Sequence, residues 1–193
     1  MAFIFYSFSF WAPTMMIRAF NISLSEVGLI LGLITIVSSI IGTILAGSAV
    51  DYLRNKNYSD APVRAAMIAV MLALPPIVTL SFVNSEMGAW VCIALYLLFI
   101  SSFAPLGLLA ISGVSTGSVK GQAAAIHAFL MMAFGLSLGP QLTAFFTDYI
   151  FADPNLLINS ISLSGLIVLP ISALLFKISL TRYRESSEKL TLI

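Results

Sequence analysis

One histidine, one cysteine and a few hydroxyls inside apolar runs are the side chains of this chain that could carry chemistry. His127 lies about two turns into the run 122–147, and an ionisable group at such depth is a candidate functional residue by default. It has two readings, lining a polar path through the membrane or hydrogen bonding within a packed bundle. One histidine cannot build a metal site, which takes three or four His, Cys or carboxylate ligands at suitable spacing. Cys92 sits in another apolar run with no second cysteine in the chain, so it reads as a small packing residue. Ser112-Gly113 and Ser164-Gly165 set a hydroxyl beside a glycine, but neither has the surrounding motif of a hydrolytic nucleophile. No catalytic residue, metal or cofactor is therefore expected, and the chain does not read as an enzyme.

The elements that must position these groups follow from composition. Of 193 residues, 60% are hydrophobic and 9% charged, and the mean hydropathy is +1.05, outside the range of a soluble domain. Nine basic residues nearly balance eight acidic ones, which gives no reason to expect a nucleic-acid partner. The lipid bilayer is the expected partner instead. A membrane-crossing helix needs ~20 mostly apolar residues, because hydrocarbon offers nothing to an unpaired backbone group. Runs at 27–50, 64–83, 89–113, 122–147 and 156–177 meet that length. A sixth, 2–17, is shorter and interrupted by Pro13. It lacks the basic start and small-residue cleavage site of a signal peptide, so it is expected to be the outer part of a first span.

Charge sets the orientation. Arg54, Lys56, Arg64, Lys120, Lys177, Arg182, Arg184 and Lys189 fall on one side of a six-span chain, with Arg18 alone on the other. The positive-inside rule makes the first side cytoplasmic, with both termini there. Residues 1–178 then form a six-helix transmembrane domain in a plasma (inner) membrane, and 179–193 a solvated cytoplasmic tail. All eight carboxylates map to loops, helix ends or the tail, so no midplane acid is present to couple a proton.

Within the spans, Gly28, Gly32, Thr35, Ser39 and Gly42 recur at steps of four and three, one face of a helix. Such a face lets backbones approach closely or forms the smooth wall of a cavity. Gly135-x-x-x-Gly139-Pro140 combines close approach with a proline that removes a hydrogen bond and favours a bend. Gly42 precedes Asp51-Tyr52 by nine residues, and Gly139 precedes Asp148-Tyr149 by nine, each pair closing its helix on opposite sides of the membrane. That echo, with a helix count divisible as three plus three, suggests an inverted repeat.

At the end of the second span the chain reads Gly47-x-x-x-Asp51-x-x-Arg54. This resembles the loop signature of the major facilitator superfamily in the degenerate form of its second half, since Asn55, Lys56 and Asn57 stand where further glycine and basic residues would continue it. Trp11-x-Pro13 to Arg18 followed by Ser23-x-Ser25-Glu26 is similar to the seventh helix and following loop of that family, and Lys120-Gly121-Gln122 with Gly135 to Pro140 is similar to the eleventh. The flavour is Spinster-like.

The resemblance implies the C-terminal six-helix half of a secondary transporter moving a small organic solute by alternating access, all-α with a 3+3 inverted repeat. It implies that Gly47, Asp51 and Arg54 form a cytoplasmic latch, and that the first, second, fourth and fifth spans face a missing N-terminal half across a cavity. Polar and aromatic positions on those spans are the cavity candidates: Tyr6, Trp11, Ser39, Tyr96, Ser101, Ser102, His127 and Gln141. Such a chain would come from a truncated gene, a natural fragment or a split transporter. A non-transporting six-helix subunit serving assembly or stabilisation is the open alternative.

Overall fold

The first break in the helical ladder comes at Asn21, whose left-handed conformation (φ 56°) and N–H to the Ile17 carbonyl, 2.9 Å, close helix α1 (Ala2–Phe20). Ser23 then caps α2 (Leu24–Asn55), its hydroxyl accepting from the Glu26 N–H, and Ser85 caps the helix that starts at Glu86 in the same manner by accepting from the Gly88 N–H. The computed structural model describes residues 1–191, with the side chains of Ser118 and 188–191 left aside. No strand occurs among the described residues.

Between these caps lie α3 (Ala61–Thr79), finished by a 3-10 turn at Leu80–Phe82, and a fourth span made of α4 (Glu86–Ile100) and α5 (Phe103–Val114). The step between α4 and α5 falls at Ser101-Ser102, one turn before Pro105, where the proline has no N–H to return. The fifth span joins α6 (Gly117–Leu130) and α7 (Ser137–Phe145) through a π-helical turn at Met131–Leu136, and a second π-helical turn, Phe146–Phe151, ends it. The π turn Met131–Leu136 immediately precedes α7, which carries Pro140 inside it.

Five stretches are long and apolar enough to cross a membrane: Leu24–Asn55, Ala61–Phe82, Glu86–Val114, Val119–Phe151 and Pro154–Ser187. α1 is a sixth helix of 19 residues, roughly 28 Å at 1.5 Å per residue, with Pro13 and Arg18 within it. The chain is a multi-pass helical membrane protein.

α8 (Leu157–Thr191) runs without interruption through residue 178, so the segment expected as a solvated tail is a helical extension of the sixth span, and its residues 181–187 are exposed or half-buried. Lys189, Glu188 and the last two residues, 192–193, lie outside the described side chains or residues.

α3 is the central helix, lying along α8 and α4; α2 packs on α4, α7 and its π turn pack on α1, and α8 packs on α1. The main core joins Phe8 and Met15 of α1, Ile77 of α3, Ile93 and Tyr96 of α4, and Ile161 of α8. Two contacts explain how closely the outer helices approach. A Cβ on Gly42 would strike the Leu98 carbonyl of α4, and one on Gly139 would strike the Phe3 carbonyl of α1. Gly28 and Gly32, on the same face of α2 as Gly42, have open space before them.

The two ends of the small-residue face should therefore respond differently to added bulk. Gly42→Leu and Gly139→Leu are expected to cost about 1–3 kcal/mol each through forced backbone displacement, read as lowered melting temperatures of the detergent-solubilised chain, whereas Gly28→Ala should leave the melt unchanged.

Candidate functional site

The end of the bundle that carries most of the basic residues holds the most strongly organised polar group. Asp60 is the residue just before α3, and its backbone carbonyl accepts from the Val63 and Arg64 N–H groups, 3.1 Å each, starting that helix. Its carboxylate does not cap the helix. It is fully buried and accepts from Arg64 Nε on one oxygen and from Arg184 Nη2, 3.0 Å, on the other. Arg64 stacks over the Tyr58 ring at 4.5 Å, and Tyr183, beside Arg184, donates to the Ala110 carbonyl at 3.0 Å. The extension of α8 is thereby clasped to the α2–α3 turn and to α5.

Burial pushes the Asp60 carboxyl up, but the hydrogen bonds from Arg64 and Arg184 and their charges outweigh it and hold it below the usual carboxylate value of 3.8. A carboxylate depressed in this way stabilises the fold above its unfolded pKa, and the contribution is lost as pH falls through the folded one.

Beside the clasp lies a partly open cavity of about 190 Å³, bordered by the starts of α1 and α3, by α5, by α6 with its π turn, and by α8. Met1, Phe103, Leu106, His127, Met131 and Phe176 are among its lining residues, and none of the lining side chains carries a carboxylate, ammonium or guanidinium. His127 is pressed against Gly107, where an added Cβ would meet the imidazole, and its Nε2 is buried with no hydrogen-bond partner. The Phe103 ring continues into Phe5, 5.0 Å away, and Tyr6, 6.3 Å away.

The remaining candidates are spread over several places. Tyr6 borders Gly135, and the Trp11 indole donates to the Pro140 carbonyl at 2.9 Å, so Tyr6, Trp11, Gly135, Gly139 and Pro140 share the α1–α7 seam. Ser102 donates to the Phe99 carbonyl at 2.8 Å and, with Gly42, lines a different cavity of about 240 Å³ between α2, α3 and α4. Ser101 Oγ, near Gly42, is buried without a partner. Tyr96 is wholly enclosed, its ring 4.8 Å from Phe8 and its hydroxyl unpaired. Ser39 is half-buried on α2 and Gln141 is exposed. Gly47 is half-buried near the end of α2, while Asp51 and Arg54 are exposed in its last turns and form no ion pair among the described residues.

A buried hydroxyl seam was not foreseen. Ser7 and Thr143 hydroxyls pair at 2.7 Å, Thr143 and Ser164 at 2.9 Å, and Thr147 donates to Ser160 at 2.8 Å, stitching α1, the fifth span and α8. The signal is present in the sequence as Thr143/Thr147 and Ser160/Ser164, each at a spacing of four. Asp60/Arg64 has the same spacing at a helix start.

No protein-family model and no curated protein matches the chain.

Removing one member of the clasp strands the other charges. Asp60→Asn is expected to cost on the order of 3 kcal/mol at pH 7, seen as a lower melting temperature in detergent. The gap to the native chain should begin to narrow as pH drops below about 4, where the unfolded carboxyl takes up its proton, and close as pH falls through the lower folded value. A gap unchanged down to pH 3 would contradict the assignment.

Proposed function

We propose that this chain is the C-terminal six-helix half of a secondary transporter of the major facilitator type, lying in the plasma (inner) membrane with both termini cytoplasmic. It carries a small organic solute by alternating access together with an N-terminal half. The observation that carries the reading is the pair of glycine seats. Gly42 of the second span meets a carbonyl of the fourth, and Gly139 of the fifth meets a carbonyl of the first. The same interval separates Gly42 from Gly139 and Asp51-Tyr52 from Asp148-Tyr149.

Exchanging the first three spans with the last three also maps the other neighbours onto one another. The third lies on the sixth, the second on the fourth as the fifth on the first, and the third on the fourth as the sixth on the first. This is the relation an inverted repeat requires.

Exposure supports the missing half. The second and fifth spans are the least buried, with 11% of their most apolar windows enclosed, against 28–39% for the other three. Their outward residues include Gly28, Gly32, Ser137 and Gln141 beside Leu and Ile. Small and polar side chains suit a protein partner or a water-filled cleft better than acyl chains. In this reading Asp51 and Arg54 remain exposed because their latch partners lie on the other half.

The test is labelling from water. In the complete transporter carrying Cys92→Ala, Gln141→Cys should react with a membrane-impermeant maleimide and be protected by substrate. Absence of labelling from either side would place that face in lipid and favour the stand-alone subunit. Asp51→Ala should reduce uptake with membrane insertion intact; unchanged uptake would remove Asp51 from the mechanism.

A further inference from the structure

We infer that the outward seam between α3 and α8 binds an anionic phospholipid, its phosphate on Arg64 and Arg184 and one acyl chain along an open apolar groove farther down the same seam. The site does not depend on the transporter reading. At the basic end of the seam Asp60 holds two guanidinium groups side by side, one on each carboxylate oxygen. Farther along the same two helices lies a groove of about 210 Å³, lined by Val70, Met71 and Leu74 of α3 and by Leu169, Pro170 and Ala173 of α8. Met71 and Pro170 are exposed, so the groove opens outward from the bundle.

Helical spacing puts the two features on one stripe. Met67, Met71 and Leu74 follow Asp60 at steps of seven, four and three, and Ala173, Lys177 and Arg184 follow Pro170 at steps of three, four and seven, so each set lies on one face of its helix. The depth of the groove follows from the rise of a helix. Arg64 stands seven residues, about 10 Å, before Met71, and Arg184 eleven residues, about 16 Å, beyond Ala173. One leaflet of the hydrocarbon core is about 15 Å thick. A head group on the guanidiniums therefore sends its acyl chains to the level of the groove.

Charge selects the head group. Asp60 accepts one N–H from each arginine, of the five that a guanidinium carries, and both side chains keep open surface, 28% for Arg64 and 47% for Arg184. One carboxylate offsets one of the two positive charges. Lys177, exposed two turns from Arg184 on the same face, adds another, and its flexible stem carries the ammonium toward the head-group level. Glu185 is turned about 100° around α8 from Arg184, which leaves Asp60 as the acid of this stripe. The excess is positive, and guanidinium N–H groups bind phosphate oxygens with charge-assisted hydrogen bonds. A choline head group would bring its own cation against that excess.

Native mass spectrometry of the purified full chain in detergent, with phosphatidylglycerol and phosphatidylcholine of matched acyl chains, tests the assignment. Phosphatidylglycerol should be retained about tenfold more than phosphatidylcholine. Excess glycerol 3-phosphate should not displace it, because the groove holds the chain; displacement would make the site one for soluble phosphates and overturn the lipid. Lys177→Gln, which leaves the clasp intact, should lower phosphatidylglycerol retention about threefold, and Met71→Trp, which fills the groove from its exposed side, should lower it by a similar factor. Lys120→Gln, on the fifth span, should leave it unchanged. Equal retention of the two lipids by the native chain would overturn the proposal without any variant. Equal losses in Lys177→Gln and Lys120→Gln would mean diffuse attraction to the basic end and would also overturn it, as would unchanged retention in Met71→Trp.

Discussion

Inside hydrocarbon a leucine gains little by leaving lipid for another leucine, so this bundle depends on the few places where backbones come within touching distance. Gly42 against the Leu98 carbonyl and Gly139 against the Phe3 carbonyl are those places. Each lets a peripheral span lie close to an inner one, and dispersion contacts then accumulate along the whole crossing. The positions of Trp11 on the Pro140 carbonyl and of Ser38 on the Ala94 carbonyl, 3.2 Å, follow from that approach, since neither side chain could reach across a wider gap.

Polar contacts then fix the register that close approach alone leaves loose. The seam from Ser7 through Thr143 to Ser164 holds the first, fifth and sixth spans at one relative height. At the basic end Asp60 ties the start of α3 to the extension of α8, and Tyr183 adds α5. A carboxylate with no exposed surface is tolerable there because two guanidinium groups face it, each of them partly open to solvent. The cavity beside His127 is what remains where α1, α3, α5, α6 and α8 cannot all meet.

The spans of the fold were legible in the sequence, because apolar length is a one-dimensional property. The hydroxyl caps at Ser23 and Ser85 lie just outside the apolar runs, which is why apolar length alone starts those helices a few residues late. The site was less legible. Asp51 drew attention through its motif, whereas the acid that the fold buries is Asp60, whose second partner is Arg184, more than a hundred residues away in sequence. No periodicity reports such a pairing. Tyr96 and Gln141 sit at comparable depth on the fourth and fifth spans, yet one is enclosed and the other exposed, because depth along a helix leaves rotation about its axis undetermined. The α8 extension looked like a tail because its charges suit water; they also suit a carboxylate on the neighbouring turn.

The central claim is that the exposed faces of the second and fifth spans meet a second six-helix unit. Native mass spectrometry of the protein extracted from its own membrane in mild detergent measures this most directly. The account predicts that the chain, 20.7 kDa by itself, is recovered covalently continuous with, or tightly bound to, another six-helix unit of comparable mass. A chain recovered at its own mass, carrying lipid and no protein partner, would contradict it.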